Sequence, residues 1–124
     1  MDVYNPELVN TYTNSNQDAP AVTVLADGSY VVVWNSNGQD GSSYGVYAQR
    51  YNAAGVAQGA EFRVNSLTLH SQTMASVAMD ADGDFVVAWS SGGARDGNQH
   101  AVVARRYSAA GTALGGELLV NTYT

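Results

Sequence analysis

No cysteine occurs in this 124-residue chain, which excludes disulfides, thiolate zinc sites and a cysteine nucleophile. Proline occurs only twice, and helix formers such as lysine, glutamate and leucine are scarce, so little in the composition favours helix. Charged residues make up 13% of the chain, about half the share of an ordinary globular domain. The charge present is mostly acidic, with a formal net value of −6. A surface of that sign repels phosphate backbones, so nucleic acid is not an expected partner. No apolar run approaches the ~18 residues of a membrane-spanning helix. The opening MDVYNPELVN has neither a basic start nor an apolar stretch and does not read as a secretory signal. What remains is a polar chain rich in Thr, Ser, Asn, Gln and Gly, with 45% hydrophobic residues and 13 glycines, a composition suited to strands joined by tight turns.

The sequence repeats itself. Residues 21–34 read AVTVLADGSYVVVW and residues 76–89 read SVAMDADGDFVVAW, so that Gly28 answers to Gly83 and Trp34 to Trp89. Downstream, GVYAQRYNAAGVAQGAEFRVNS (45–66) answers to AVVARRYSAAGTALGGELLVNT (101–122), at a spacing one residue longer. A third, partial copy stands at the start, where ELVNTYT (7–13) nearly matches the closing ELLVNTYT (117–124). Self-similarity at such a period marks a repeat architecture.

Each copy reads as four strands. In the first copy these lie at about 20–26, 30–34, 44–52 and 60–65; in the second, at about 74–80, 84–90, 100–108 and 116–121. Val22 and Val24 alternate with Thr23, a half-buried pattern. Asp27-Gly28 is expected to form a two-residue hairpin turn with positive φ at both positions. Tyr30 to Trp34 is apolar on both faces and belongs inside a covered sheet. Links within a copy are short enough for hairpins, whereas Ser66 to Thr73 is longer. Those eight residues reach roughly 26 Å when extended, against about 14 Å needed to cross a four-stranded sheet. Such a link can carry the chain from the outer edge of one sheet to the inner edge of the next, as in β-propellers.

The pattern D-G-x-(Y/F)-V-V-x-W, then D-G, V-x-A-x-R-Y, A-A-G and E-x-x-V-N-(S/T) resembles propeller-type repeats of large secreted bacterial proteins. Those repeats often accompany haemolysin-type calcium-binding (RTX) modules. The resemblance covers about residues 7–124 and implies a blade fold and an extracellular or cell-surface parent protein. The glycine-rich calcium-binding nonapeptide of those modules is absent here, so the metal chemistry is not carried over.

Few residues point to chemistry. Asp80, Asp82 and Asp84 have the acidic spacing of a calcium loop, which needs several oxygen ligands around one ion. The first copy has only Asp27 there, and a hairpin turn explains the shared Asp-Gly without metal, so no cofactor is expected and calcium is the alternative. Trp34 and Trp89 end their valine runs where a core aromatic belongs; a stacking platform for a sugar ring is the other reading. Asp40-Gly41 and Asp96-Gly97 lie in matched loops at one rim and are the candidate ligand-binding positions, although turn chemistry also accounts for them. His70 and His100 do not match and have no partner at an informative spacing. Arg50 and Arg106, each followed by tyrosine, are expected to tie neighbouring blades. No nucleophile–base pair, phosphate loop or metal triad is present, so no catalytic residue is named and the chain is read as non-enzymatic.

The expected architecture is therefore all-β: a partial repeat at 1–19, a first blade with its linker at 20–73 and a second blade at 74–124, each blade a four-stranded antiparallel sheet. Two blades are too few to close a ring or to cover their own apolar faces, so the expected partner is the chain itself in a cyclic homo-oligomer, the trimer being preferred over dimer or tetramer. The function expected is a non-catalytic structural or binding scaffold, natural fragment or engineered repeat. A carbohydrate-binding adhesin or lectin with one weak site per blade is the alternative.

Overall fold

Period-two alternation and glycine turns produce strands and nothing else. The computed structural model describes residues 8–10, 14–39, 41, 43–66, 71–92 and 100–121, and among these every regular element is a strand. The first sheet holds β1 (Gln17–Val24), β2 (Tyr30–Asn37), β3 (Tyr44–Tyr51) and β4 (Phe62–Arg63), in that order and antiparallel. The second holds β5 (Gln72–Met79), β6 (Phe85–Gly92), β7 (His100–Tyr107) and β8 (Leu118–Leu119) in the same arrangement. Two four-stranded, up-and-down, blade-like sheets thus stand where the repeat placed them.

The turns differ from expectation. Gly28 has φ +92°, but Asp27 is not among the residues with positive φ. Leu25 N–H donates to the Ser29 carbonyl at 2.8 Å and Gly28 N–H to the Leu25 carbonyl at 2.9 Å. This is a three-residue loop, a type I turn followed by a left-handed glycine, and not the two-residue turn. Asp27 braces this loop, its Oδ1 accepting the Ser29 amide at 2.8 Å and the Ser29 hydroxyl at 2.6 Å. The same pair of backbone bonds closes the hairpins at Asn52–Val56, Asp80–Asp84 and Ser108–Thr112.

Two further irregularities recur in both sheets. Register shifts between Asp18 and Ala21, and again between Thr73 and Ser76, where Ala19 and Met74 hold φ values of 51° and 59°. These matched bulges let β1 and β5 start at Gln17 and Gln72, earlier than about 20 and 74, and increase local twist. The outer strands β4 and β8 are shorter than the expected 60–65 and 116–121, because their ladders break after the isolated bridges Tyr51–Ala57 and Tyr107–Ala113. Short edge strands discourage unwanted pairing.

The core lies between the sheets. Val31, Val33, Val46, Ala48 and Val64 from one face of the first sheet meet Phe85, Val87, Trp89, Ala101, Val103 and Tyr107 from the second. Cross-strand pairing explains the grouping: Val33 stands opposite Ala48, and Ala48 opposite Phe62, so these side chains share one face. β5 packs against β1, β2 and β3 at this junction.

Candidate functional site

The repeat gives each sheet two apolar faces, and the junction uses one from each. In the first sheet, the face carrying Val31, Val46 and Val64 is covered. Its counterpart on the second sheet carries Val86, Val102, Leu118 and Val120. Val46 is 0% exposed and Val102 is 45%; Val64 is 0% and Val120 is 53%; Val31 is 2% and Val86 is 37%. Matched residues on matched strands therefore differ only in whether a neighbouring sheet lies over them. The opposite face of the first sheet likewise exposes Val22 and Val24, whereas their counterparts Val77 and Met79 pack against the core.

Hydrogen bonds define how two sheets join. Arg105 Nη1 donates to the Val64 carbonyl at 3.2 Å, and the Tyr107 hydroxyl donates to the same oxygen at 3.4 Å. Ser66 N–H donates to Glu117 Oε1, and Ser71 Oγ lies 2.8 Å from Ser43 Oγ. Phe62 packs on Tyr107 with ring centroids 5.3 Å apart, and Tyr107 stacks on Phe85 at 5.0 Å. Burial pushes the Tyr107 hydroxyl above its ordinary value, while neighbouring Arg105 pulls the other way. Arg50 also reaches the second sheet: a Cβ on Gly111 would stand 2.9 Å from Arg50 Cδ. The Arg50 hydrogen bond, however, goes to the Gln58 carbonyl of its own blade at 3.2 Å, and Arg106 is exposed; the arginine that bonds across the junction is Arg105.

A cavity of about 380 Å³ on the uncovered face of the second sheet is lined by Asp80, Phe85, Val86, Arg106, Tyr107 and Leu114, among others. Its counterpart in the first sheet, about 300 Å³ beside Leu25, Tyr30, Val31, Arg50 and Tyr51, is walled by Met79, Gly83 and Ala109 of the second. The larger cavity is the same junction with one wall removed.

The two tryptophans are both buried, as expected of core aromatics, but are satisfied differently. Trp89 Nε1–H donates to Gln72 Oε1 at 2.9 Å. Trp34 Nε1 has no hydrogen-bond partner among the described residues, although Gln17 stands where Gln72 does. A buried donor left unpaired costs about 1–3 kcal/mol.

One solved structure shares this fold. It is the crystal structure of an endo-arabinase from Bacteroides thetaiotaomicron VPI-5482, matched with a TM-score of 0.58 at 14% sequence identity over 94% of this chain. The chain spans about half of that protein, 48% of its length, and at such identity the likeness concerns the fold alone. No family model matches the sequence, and no curated protein does.

Beside the arabinase-like fold, the residues singled out for chemistry fare unevenly. Asp40, Asp96, Gly97 and His70 lie outside the described residues. Gly41 is exposed in the β2–β3 loop and its amide donates to the Gly38 carbonyl at 3.2 Å. Asp80 Oδ1 accepts the amides of Asp82 and Asp84 at 2.9 and 3.1 Å, and Asp84 Oδ1 accepts that of Ala109 at 2.9 Å. These carboxylates brace two hairpins, and among the described residues no three His, Asp or Glu side chains converge as a metal-holding group. Asp27 is held below the usual carboxylate range by the side-chain and backbone bonds from Ser29. His100 is exposed at the start of β7. Uncovered apolar faces were expected of a two-blade chain; which valines lie on them emerges from pairing the two copies.

Proposed function

We propose that this chain is a non-catalytic repeat module that joins head to tail with copies of itself to complete a ring of blades, serving as a structural or binding scaffold. The observation that carries the reading is the contrast between Val46, Val64 and Val31, buried, and Val102, Val120 and Val86, about half exposed. The uncovered face of the second blade is the repeat of one that already packs on a blade. Fully burying a valine or leucine is worth about 1.5–3 kcal/mol, so covering four half-exposed ones contributes several kcal/mol per junction. A head-to-tail junction is heterologous and closes into a ring when its rotation divides the circle. Three chains give six blades, inside the usual range of four to eight, and the trimer remains the preferred assembly.

The non-catalytic part rests on how five of the described carboxylates are used. Glycoside hydrolysis needs two carboxyl groups flanking one bond; Asp27, Asp80 and Asp84 hold turn amides, and Glu61 and Glu117 hold Gln39 and Ser66. Light scattering at micromolar concentration is the test. A discrete mass of between two and four chains is expected, and a well-folded single chain with a sharp melting transition overturns the reading.

The likeness to an endo-arabinase favours a second reading, a sugar-binding blade array with weak sites at the rim loops that include Gly41, in an extracellular or cell-surface protein. Binding of defined oligosaccharides on a glycan array, lost when Gly41 is replaced, is its expected outcome.

A further inference from the structure

Val9-Asn10, Val64-Asn65 and Val120-Asn121 are three copies of one dipeptide, and Val9 precedes Gln17 by the same spacing as Val64 precedes Gln72. The second copy shows what the dipeptide does at a junction. Val64 is fully buried in the core that contains Trp89, and its carbonyl accepts from Arg105 and Tyr107. The asparagine faces its own sheet: Asn65 Oδ1 accepts the Val46 amide and Asn121 Oδ1 the Val102 amide, both at 2.8 Å.

Val9 and Asn10 occupy the corresponding place over the first sheet, lining a cavity of about 150 Å³ with Gln17, Val32 and Trp34. Here the asparagine bonds differently. Asn10 Nδ2 instead donates to Gln17 Oε1 at 3.1 Å, and Gln17 Nε2 donates to the Asn14 carbonyl and to Ser36 Oγ. The acceptor that Gln72 offers to Trp89 is thus engaged elsewhere in Gln17, and the buried Trp34 Nε1 has no partner among the described residues. Buried polar groups of that kind are rare and call for a cause.

We infer that the surface over Trp34 is the docking site for Val120-Asn121 of a second copy of this chain, and that Val9-Asn10 is an internal stand-in which the incoming strand displaces. The inference rests on the self-assembly reading and gives it an address. The occupant follows from continuity with the existing junction: Val120 is carried on the same face as Val64, and its asparagine is already anchored to Val102. An incoming Asn121 therefore leaves Gln17 alone, freeing Oε1 to accept from the Trp34 indole as Gln72 does from Trp89. Tyr51 and Gln49, the counterparts of Tyr107 and Arg105, then face the Val120 carbonyl. A stand-in lowers the apparent affinity by the fraction of molecules it keeps closed.

The test uses the full chain with Val9→Asp and, separately, Val120→Asp. Val9 is half-buried and Val120 exposed, so both variants should keep the strand signal in circular dichroism. Concentration-dependent light scattering should show Val9→Asp associating roughly tenfold more tightly than the parent, because the closed fraction is removed, while Val120→Asp stays a single chain. By nuclear magnetic resonance the Trp34 indole N–H should move downfield and exchange more slowly on assembly, and Gln17→Ala should abolish that change without restoring monomers. If the parent associates but Val9→Asp leaves association unchanged or weakens it, this address is wrong and self-assembly stands. If the parent never associates at any accessible concentration, the self-assembly reading falls and takes the inference with it.

Discussion

Gly28 and Gly83 show how one residue type sets the geometry of a hairpin. Their φ values are +92° and +90°, and an added Cβ would lie 3.2 Å from the Ala53 Cβ and 3.1 Å from the Ala109 Cβ. Gly28→Ala is therefore expected to cost about 1–2 kcal/mol, the penalty of a left-handed conformation for an L-residue, plus whatever displacement of Ala53 requires; urea unfolding at constant m checks it. Asp27 works beside it. Its carboxyl is held below the ordinary 3.8 by the bonds from Ser29, so the ionised form is favoured in the folded chain. Its contribution is present above that ordinary value and lost as pH falls through the lowered one.

At the scale of the element, β7 ties the two sheets. Tyr107 stacks on Phe85 and leans on Phe62, and its hydroxyl bonds the Val64 carbonyl where the chain leaves β4. Burial raises its ionisation above the ordinary 10.0, so the neutral form is favoured in the folded state. That contribution is complete below about pH 10 and disappears as pH rises through the raised value. Tyr107→Phe keeps the ring contacts and removes the bond, and should lower stability by about 0.5–1.5 kcal/mol at neutral pH. Melting curves from neutral to strongly alkaline pH should then show a shallower alkaline decline than the parent's.

For the whole molecule, duplication supplies an internal control. Val46→Asp places a carboxylate in a site with 0% exposure, where an unpaired charge costs more than a domain's usual margin, and should prevent folding. Val102→Asp is the same change on the matched strand, at 45% exposure, and should leave the fold and its strand signal intact while abolishing association. Circular dichroism and light scattering on both variants separate core from junction; loss of fold in Val102→Asp would place that valine in the core instead.

Strand positions, hairpin order and the burial of both tryptophans were legible in the sequence, because side chains alternate along a strand and glycine marks where φ must turn positive. Those are local rules, and each repeat states them twice. The turn type was not legible: Asp27 and Gly28 fit two loops, and the three-residue one forms in four hairpins, including two where alanine precedes the glycine. Nor could the sequence say which of two apolar faces meets the neighbouring sheet, since the valines of β2 and β6 look alike on both sides. Tertiary structure decided that Val31 and Val87 lie inside while Val86 does not, because only one face of each sheet can turn toward the other once β5 packs against β1 and β2. The same holds for Trp34 and Trp89, which end equivalent strands. One donates to Gln72 and the other to nothing described, a difference set by what packs over each indole and not by the residues beside it in the chain.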